Sequence, residues 1–523
     1  MGGITGSGRR PRLAAAVVVL ALVASACTTL VPRPGPAGRA GWRPVLPPLS
    51  AEPDPVAGGR IVDALGREVV LRGVNVNALV EYWPYGSFPT TFPFTEADAD
   101  AISGIGWNVV RLLVSWSRIE PEPGRYDEAY LDRVAAVVRQ LERRGVYSII
   151  DLHQDAWGPS LAAPRGTVCP AGESPAFGWD GAPAWATFDG GASRCVPAGI
   201  RELSPAVRAA FAAFWADAAG PGGVGIRTRY TAMLGHLGER FAREPAVAGY
   251  DIMNEPNAFG SAEVAALGDL AGDAVAAIRA GERRDRGFPH LVLVEPSITW
   301  ADFSVGTPPP FPHDGNVVFA PHIYRGGLSS GPIPPEDFTR AHTDAAALGG
   351  LPVLVGEWGS SPQRASDPAD GYFRIHLDLQ DEHRFSGTLW TWRESCGDPH
   401  KAGDARDGRV PYVWGEFEVD CRTNTVTGPR TDLITQLRRG YVRAAPGVLR
   451  TMTYRAADGL HAEGDGARVG EVLVAWFPGA KGSVRVSDRG LIGVRTTPAG
   501  PDGGVYVTGT AVRSAWSLEV RRA

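Results

Sequence analysis

The chain has 523 residues, of which 44% are apolar and 21% charged, with a formal charge of -5 at neutral pH. Those proportions exclude global disorder, allow a sizeable core, and give no support to a nucleic-acid partner. The length suits one large domain followed by a smaller one.

At the N-terminus, Arg9, Arg10 and Arg12 precede the apolar run LAAAVVVLALVASA, which is too short to cross a bilayer comfortably and carries the charged flank of a signal peptide. Export is the expectation. The tetrapeptide ASAC ending at Cys27 resembles the lipobox of bacterial lipoproteins, in which the cysteine is lipidated and becomes the mature N-terminus. Residues 1–27 are therefore read as a signal peptide with a lipobox, Cys27 as the lipidation site, and the protein as a membrane-anchored lipoprotein at the cell surface. An ordinary secretory signal cleaved near Ala26 is the alternative. Residues 28–55 are Pro-rich and aperiodic, as a tether is.

Beyond the tether, eight short β-branched runs follow one another: VVLRGVNVN, NVVRLLVSW, YSIIDLHQD, VAGYDIMNEP, HLVLVEPS, NVVFAPHIY, PVLVGEWGS and GTLWTWRES. Amphipathic stretches such as YLDRVAAVVRQLERRG and SAEVAALGDLAGDAVAAIRAGERR lie between several of them, and this alternation predicts parallel strands crossed by helices. Residues 56–443 are accordingly expected to form a (β/α)8 TIM barrel with enlarged loops. From residue 444 to 523 the texture changes to short alternating strands with Gly and Asp-Gly turns, which predicts a small antiparallel β-sandwich packed on the flank of the barrel.

Four cysteines remain, Cys169, Cys195, Cys396 and Cys421, an even number that favours two disulfides in an exported chain. Of three possible connectivities, Cys169 with Cys195 and Cys396 with Cys421 is expected, because each pair brackets a loop rich in Gly, Pro and Asp. No CxxC or HExxH spacing occurs, so neither a metal nor another cofactor is expected.

A barrel of this kind builds its active site at the C-terminal ends of the strands. There the sequence places Arg111 on the second strand, His153 and Asp155 after the third, Asn254 and Glu255 after the fourth, His322 and Tyr324 after the sixth, Glu357 and Trp358 at the seventh, and Trp390 and Trp392 on the eighth. Two glutamates at one mouth suit glycosidic cleavage, one protonating the departing oxygen while the other attacks the anomeric carbon. The acid is expected to keep its proton beside a second carboxylate, and Arg111 and Tyr324 to favour an ionised nucleophile.

NEP after the fourth strand, GEWG at the seventh, Arg in the second and DLH in the third resemble glycoside hydrolase family 5. The resemblance implies Glu255 as acid/base and Glu357 as nucleophile in a retaining enzyme. It also implies that Asn254 binds the sugar 2-hydroxyl, that Arg111, His153, His322 and Tyr324 hold the nucleophile and sugar, and that Trp392 is the sugar platform. DLHQDAW and GWDGAPAWATFDG look like the endoglycoceramidase branch, whose members release a glycan from ceramide and carry a C-terminal β-sandwich. That implies Asp155 as a sugar ligand and Trp179 or Trp185 as a wall of the cleft. In that branch a lysine near the end of the first strand contacts the glycan, whereas here the segment reads NVNALVEYWPYG and the two lysines are Lys401 and Lys481. Phe88, Phe92 and Phe94, in the loop after the first strand, are candidates for contact with an acyl chain.

The expected partner is thus a glycan or glycolipid substrate, with the membrane reached through the lipid anchor and the protein acting as a monomer. The alternatives are a family 5 β-glucanase or mannanase, a single-sugar lipid β-glucosidase, or a non-enzymatic carbohydrate- or lipid-binding surface lipoprotein.

Overall fold

The computed structural model describes residues 44–523 apart from 85, 304–305, 313, 329–331, 362–370, 402–412 and 501–502. The expected signal peptide and Cys27 lie outside the described residues. Among the described residues no helix is long and apolar enough to cross a membrane.

All eight expected barrel strands form: β1 (Arg72–Leu79), β2 (Val109–Ser115), β3 (Tyr147–His153), β4 (Val247–Asp251), β5 (Leu291–Val294), β6 (Val317–Phe319), β7 (Leu354–Trp358) and β8 (Ser386–Leu389). They pair in parallel, in the order β6-β5-β4-β3-β2-β1-β8-β7. The two ends meet through a parallel bridge between Phe319 and Val353, and the amides of Gly356 and Ile323 reach across to the carbonyls of Pro321 and Glu357 at 3.1 and 3.0 Å. The result is a TIM-type barrel. Every residue of β2 and β3 is buried, which is why these strands read as continuous apolar runs instead of alternating ones. Gly249 is required where β4 meets β5, because a Cβ there would sit 2.3 Å from the carbonyl oxygen of Leu291.

The helices follow the sequence pattern. Helix Glu128–Glu142 starts at Asp127, whose carboxylate accepts the Tyr130 amide at 2.9 Å, and buries Leu131, Val134, Val138 and Leu141 against the barrel. Helix Ser261–Arg284 packs along its length on helix Ile226–Arg240. An insertion of some fifty residues follows β3, and within it Cys169 is bonded to Cys195; beyond β8, Cys396 is bonded to Cys421.

Beyond the barrel lie a four-stranded and a seven-stranded antiparallel sheet. The seven-stranded sheet differs from the expected domain division at both ends of the chain. Its strands, in spatial order, are Leu49–Glu52, Arg60–Asp63, Glu68–Val69, Tyr441–Ala445, Val472–Phe477, Val505–Ala511 and Leu491–Pro498. The stretch expected as tether to residue 55 is therefore already folded at Leu49, whose side chain is buried with that of Ala51. The segment TDLITQLRRGYVRAA is helical only over Thr431–Leu437. The backbone leaves the helix at Arg438, and Tyr441–Ala445 continues as a fully buried strand. Residues 41–523 form one compact unit, with the N-terminal strands stitched into the C-terminal sheet.

Candidate active site

The site rests on Arg111. It is fully buried on β2 with its guanidinium at the barrel axis, a position that four carboxylates compensate. Its Nη1 donates to Glu357 Oε1 at 2.8 Å and to Asn75 Oδ1 at 3.1 Å, its Nη2 to Asn254 Oδ1 and Glu295 Oε1 at 2.9 Å each, and its Nε to Asp251 Oδ2 at 2.9 Å. Asp151 completes the ring as an ion pair at 2.9 Å. Burial alone would disfavour the cation, but Asp151, Asp251, Glu295 and Glu357 outweigh it and keep the guanidinium charged.

Glu357, at the end of β7, accepts a second hydrogen bond from Tyr324 Oη at 2.8 Å. Gly356 before it is small for a local reason: a Cβ would lie 2.9 Å from His322 Nε2. Glu255, four residues beyond the end of β4 at Asp251, has the left-handed φ of 41°, a conformation that side chains other than glycine adopt only when their surroundings hold them. Those surroundings are visible. Gln154 Nε2 donates to the carbonyls of Asn254 and Glu255 at 2.8 and 3.0 Å, and Glu295 Oε2 accepts the Glu255 amide at 2.8 Å.

His322 stands between the two glutamates, with Nδ1 2.9 Å from Glu255 Oε1 and 3.7 Å from Glu357 Oε2. One oxygen of Glu255, one of Glu357 and a His322 nitrogen all fall within 4.8 Å of one another. Such a trio has the spacing of a metal site, but Arg111, Tyr324 and His322 already satisfy its charges. Burial works against the His322 cation, yet Glu295, Glu357 and Glu255 hold its pKa well above the ordinary range. For Glu255, burial favours the neutral acid, while the His322 hydrogen bond and the His322 and Arg201 charges pull the pKa below the usual carboxylate value. Burial raises the Glu357 pKa against the pull of the His322 and Arg111 charges, a direction opposite to that of Glu255. The geometry nevertheless accommodates the pair's negative charge best on Glu357, because Arg111 and Tyr324 both donate to it whereas Glu255 faces His322 alone at hydrogen-bond distance.

His153 lies beside this centre, its Nδ1 2.7 Å from Asp151 and its ring stacked on Trp390 at 5.5 Å. Asp155 is gripped by two cations that the sequence reading did not single out: Arg201 Nη2 at 2.5 Å and His400 Nε2 at 2.8 Å. Although burial would raise the Asp155 pKa, Arg201 and His400 hold it well below the usual range. The Arg201 guanidinium also covers the Trp179 ring at 4.0 Å and reaches within 3.8 Å of Glu255 Oε2. Trp179 thus stands at the site with Asp155, whereas Trp185 donates to the Glu120 carbonyl at 3.0 Å and packs on Trp116.

Trp392 is not placed as a platform. It is buried, donates to Asp98 Oδ1 at 3.0 Å and packs edge-on against Trp107 and Phe417. The strand ends at Leu389, and past it Trp390, not Trp392, joins Tyr82, Tyr324 and Leu113 beside the catalytic centre. The phenylalanines after β1 are also engaged by the fold: Phe88 packs on the Cys396–Cys421 cluster, Phe94 on the main core, and Phe92 under the Arg393 guanidinium at 5.3 Å.

Asn75, Asp151, Gln154, Asp251, Glu295, Arg201 and His400 complete the site without having been predicted as part of it. For Glu295 the signal was present, since it ends a β-branched run just as Glu255 and Glu357 do. For Arg201 and His400 the sequence carried no signal, because irregular loops deliver them.

A buried acid pair at the mouth of a parallel barrel, held by arginine, histidine and tyrosine, defines the class of the barrel glycosidases. The cellulase model, glycosyl hydrolase family 5, matches residues 62–395, and the chain belongs to that family. Within it the chain is an endoglycoceramidase-like glycoside hydrolase. Endoglycoceramidase I of Rhodococcus hoagii is 30% identical over 328 residues, a stretch spanning 58% of this chain and 61% of that protein. The crystal structure of an endogalactoceramidase superposes with a TM-score of 0.80 at 36% identity, covering 91% of this chain and all of the other. Endo-glycoceramidase II from Rhodococcus sp., in complex with a cellobiose-like isofagomine, gives a TM-score of 0.66 at 25% identity, covering 88% of this chain and 99% of the other.

Proposed function

We propose that the protein is an exported retaining β-glycosidase that releases a glycan from a lipid aglycone. The observation that carries this reading is the approach of Glu255 and Glu357 to within 4.8 Å, oxygen to oxygen, at the mouth of the barrel. A retaining mechanism needs carboxyl groups about 5 to 5.5 Å apart, whereas an inverting one leaves room for a water between them. In the first step Glu357 attacks the anomeric carbon while Glu255 delivers a proton to the departing lipid oxygen, so that the C–O bond breaks as a glycosyl ester forms. In the second, water attacks the same carbon and gives its proton to Glu255. The ester bond breaks, the glycan leaves with its configuration retained, and Glu357 is regenerated as a carboxylate.

A lipid aglycone is supported by the relatives' ceramide-containing names and by apolar residues that remain exposed on loops leaving the C-terminal ends of the strands. Phe177, Phe188 and Leu203 stand on the insertion after β3, and Leu328, 50% exposed, follows β6. Export as a lipoprotein anchored through Cys27 is supported by the arginine-flanked apolar run and the ASAC motif. The two disulfides suit an oxidising compartment.

The test is incubation of the protein from Thr28 onward with a complex glycosphingolipid and with glucosylceramide, followed by mass spectrometry. Intact oligosaccharide and free ceramide are expected from the first. Glucose from glucosylceramide alone would make it a single-sugar lipid glucosidase, and inertness toward both lipids would refute the lipid aglycone.

A further inference from the structure

One buried carboxylate at the barrel mouth has no part in the chemistry just described. Glu295 follows β5, is only 2% exposed, and reaches three parts of the site at once. Its Oε2 accepts the Glu255 amide at 2.8 Å, while its Oε1 accepts from Arg111 Nη2 at 2.9 Å and lies 3.1 Å from His322 Nε2. The first contact fixes the main chain where Glu255 is held at a φ of 41°. The second ties down the arginine whose other arm holds Glu357. The third sets the ring whose opposite nitrogen faces the Glu255 carboxyl at 2.9 Å. One short side chain therefore touches the backbone of the acid, the partner of the acid and the partner of the nucleophile.

We propose that Glu295 is a positioning residue of the reaction, acting through His322 and the Glu255 backbone to set the orientation and charge of the acid relative to the nucleophile. The inference rests on the glycosidase reading of Glu255 and Glu357. The groups facing His322 are Glu255 and Asp251 from β4 and its end, Glu295 from β5, Tyr324 from its own segment and Glu357 from β7. Arg111 lies behind Glu295 and Glu357. With Glu255 at hydrogen-bond distance from Nδ1 and the Glu295 carboxylate paired by charge 3.1 Å from Nε2, the ring is held as an imidazolium, and the proton needed by the leaving group belongs to the Glu255–His322 pair. The proton on His322 Nδ1 passes to Glu255, which delivers it to the leaving oxygen, so that Glu255 ends the step as a carboxylate and the ring as neutral imidazole; the proton taken from water in the second step returns along the same path.

Glu295→Gln removes the negative charge from one face of that pair and leaves an acceptor for only part of the three contacts. The pair then loses its proton more readily, so the basic limb of kcat/KM moves to lower pH, and kcat on a glycosphingolipid falls by about tenfold or more. In 15N-histidine spectra, with His322 assigned by a His322→Gln control, the wild-type ring is expected to be protonated on both nitrogens at neutral pH and the Glu295→Gln ring to be neutral there. Glu295→Asp, which keeps the charge, is expected to restore the basic limb. A lower kcat with an unmoved limb and unmoved His322 signals would overturn the proposal, as would an Asp variant shifted as far as the Gln variant. Should Glu295→Gln not fold, a neutral His322 ring in the wild type at neutral pH is sufficient to overturn it. If the wild type hydrolyses neither an aryl glycoside nor a glycosphingolipid, the glycosidase reading fails, and the His322 signals still report separately on the hold of Glu295 over the ring.

Discussion

Arg111 and Tyr324 both donate to the Glu357 carboxylate, so Glu357→Gln keeps most of the shape of the site and loses its nucleophile. That variant is expected to accumulate no glycosyl-enzyme by mass spectrometry. Glu255→Ala should depress hydrolysis of glycosphingolipid far more than that of an activated aryl glycoside, whose leaving group needs little protonation; equal losses would contradict the acid role. The two tryptophans after β8 give a second test. Trp390 stacks on His153 beside the glutamates and is buried, so Trp390→Ala should cost stability and, in the protein that remains folded, also reduce activity, whereas folded Trp392→Ala should keep most of its activity. Trp392 lies between barrel and helix Glu96–Ile105, so Trp392→Ala should cost about 3–5 kcal/mol of stability, read by denaturant unfolding. The glutamates were legible in the sequence because each ends an apolar run, and a charged residue at that register has one place to go in a parallel barrel. The choice between Trp390 and Trp392 was not, because regular strand geometry stops at Leu389 and the facing of later residues depends on a local path.

Each disulfide-stapled loop delivers a cation to the same carboxylate. Arg201 follows Cys195 and His400 follows Cys396, and both close on Asp155. The glutamates, by contrast, are borne by the strand ends themselves. Replacing Cys169 and Cys195 by serine is therefore expected to raise KM for a glycosphingolipid more than it lowers kcat, together with a loss of about 2–4 kcal/mol in stability. Steady-state kinetics and a thermal melt check both halves; a fall in kcat at unchanged KM would refute the division of labour. At this scale the sequence was readable where periodicity rules. Strands β1 to β8 and helix Ser261–Arg284 stand where their patterns placed them, because burial of a face imposes a pattern on sequence. The insertion after β3 answers to single contacts such as Arg201 on Trp179, which leave no period to read.

Over the whole molecule, the two sheets beyond the barrel are joined by buried polar contacts as well as by apolar packing. Glu68, in the N-terminal strand Glu68–Val69, accepts the amide of Leu449 from the C-terminal sheets at 2.8 Å. Burial raises its pKa from the ordinary 4.5 to about 7, against the pull of that hydrogen bond and of Arg60. The folded protein thus holds a proton on Glu68 that the unfolded chain releases, so this group's contribution to stability is present below about pH 4.5 and is lost as the pH rises to about 7. Glu68→Gln keeps an acceptor and removes the titration. Its stability relative to the parent should grow across that interval to ~3 kcal/mol and then level off, as measured by denaturant unfolding at several pH values. A constant difference would show that the folded and unfolded carboxyls titrate alike. The N-terminal strands escaped the sequence reading because they are short and their tie to a larger sheet runs through Glu68–Val69, whose partner Ala444–Ala445 lies nearly four hundred residues away.

That distance orders the birth of the protein. Val69 pairs with Ala444, so as the chain leaves the ribosome its first strands can pair only with one another, and the outer edge of Glu68–Val69 must wait until the whole barrel has been made. During that interval their backbone edges stay open to other chains, and a polypeptide that stops short of residue 441 never acquires the partner that covers them. The seam between these strands therefore works as a check that synthesis has passed the barrel: only a polypeptide that has reached residue 445 can close it.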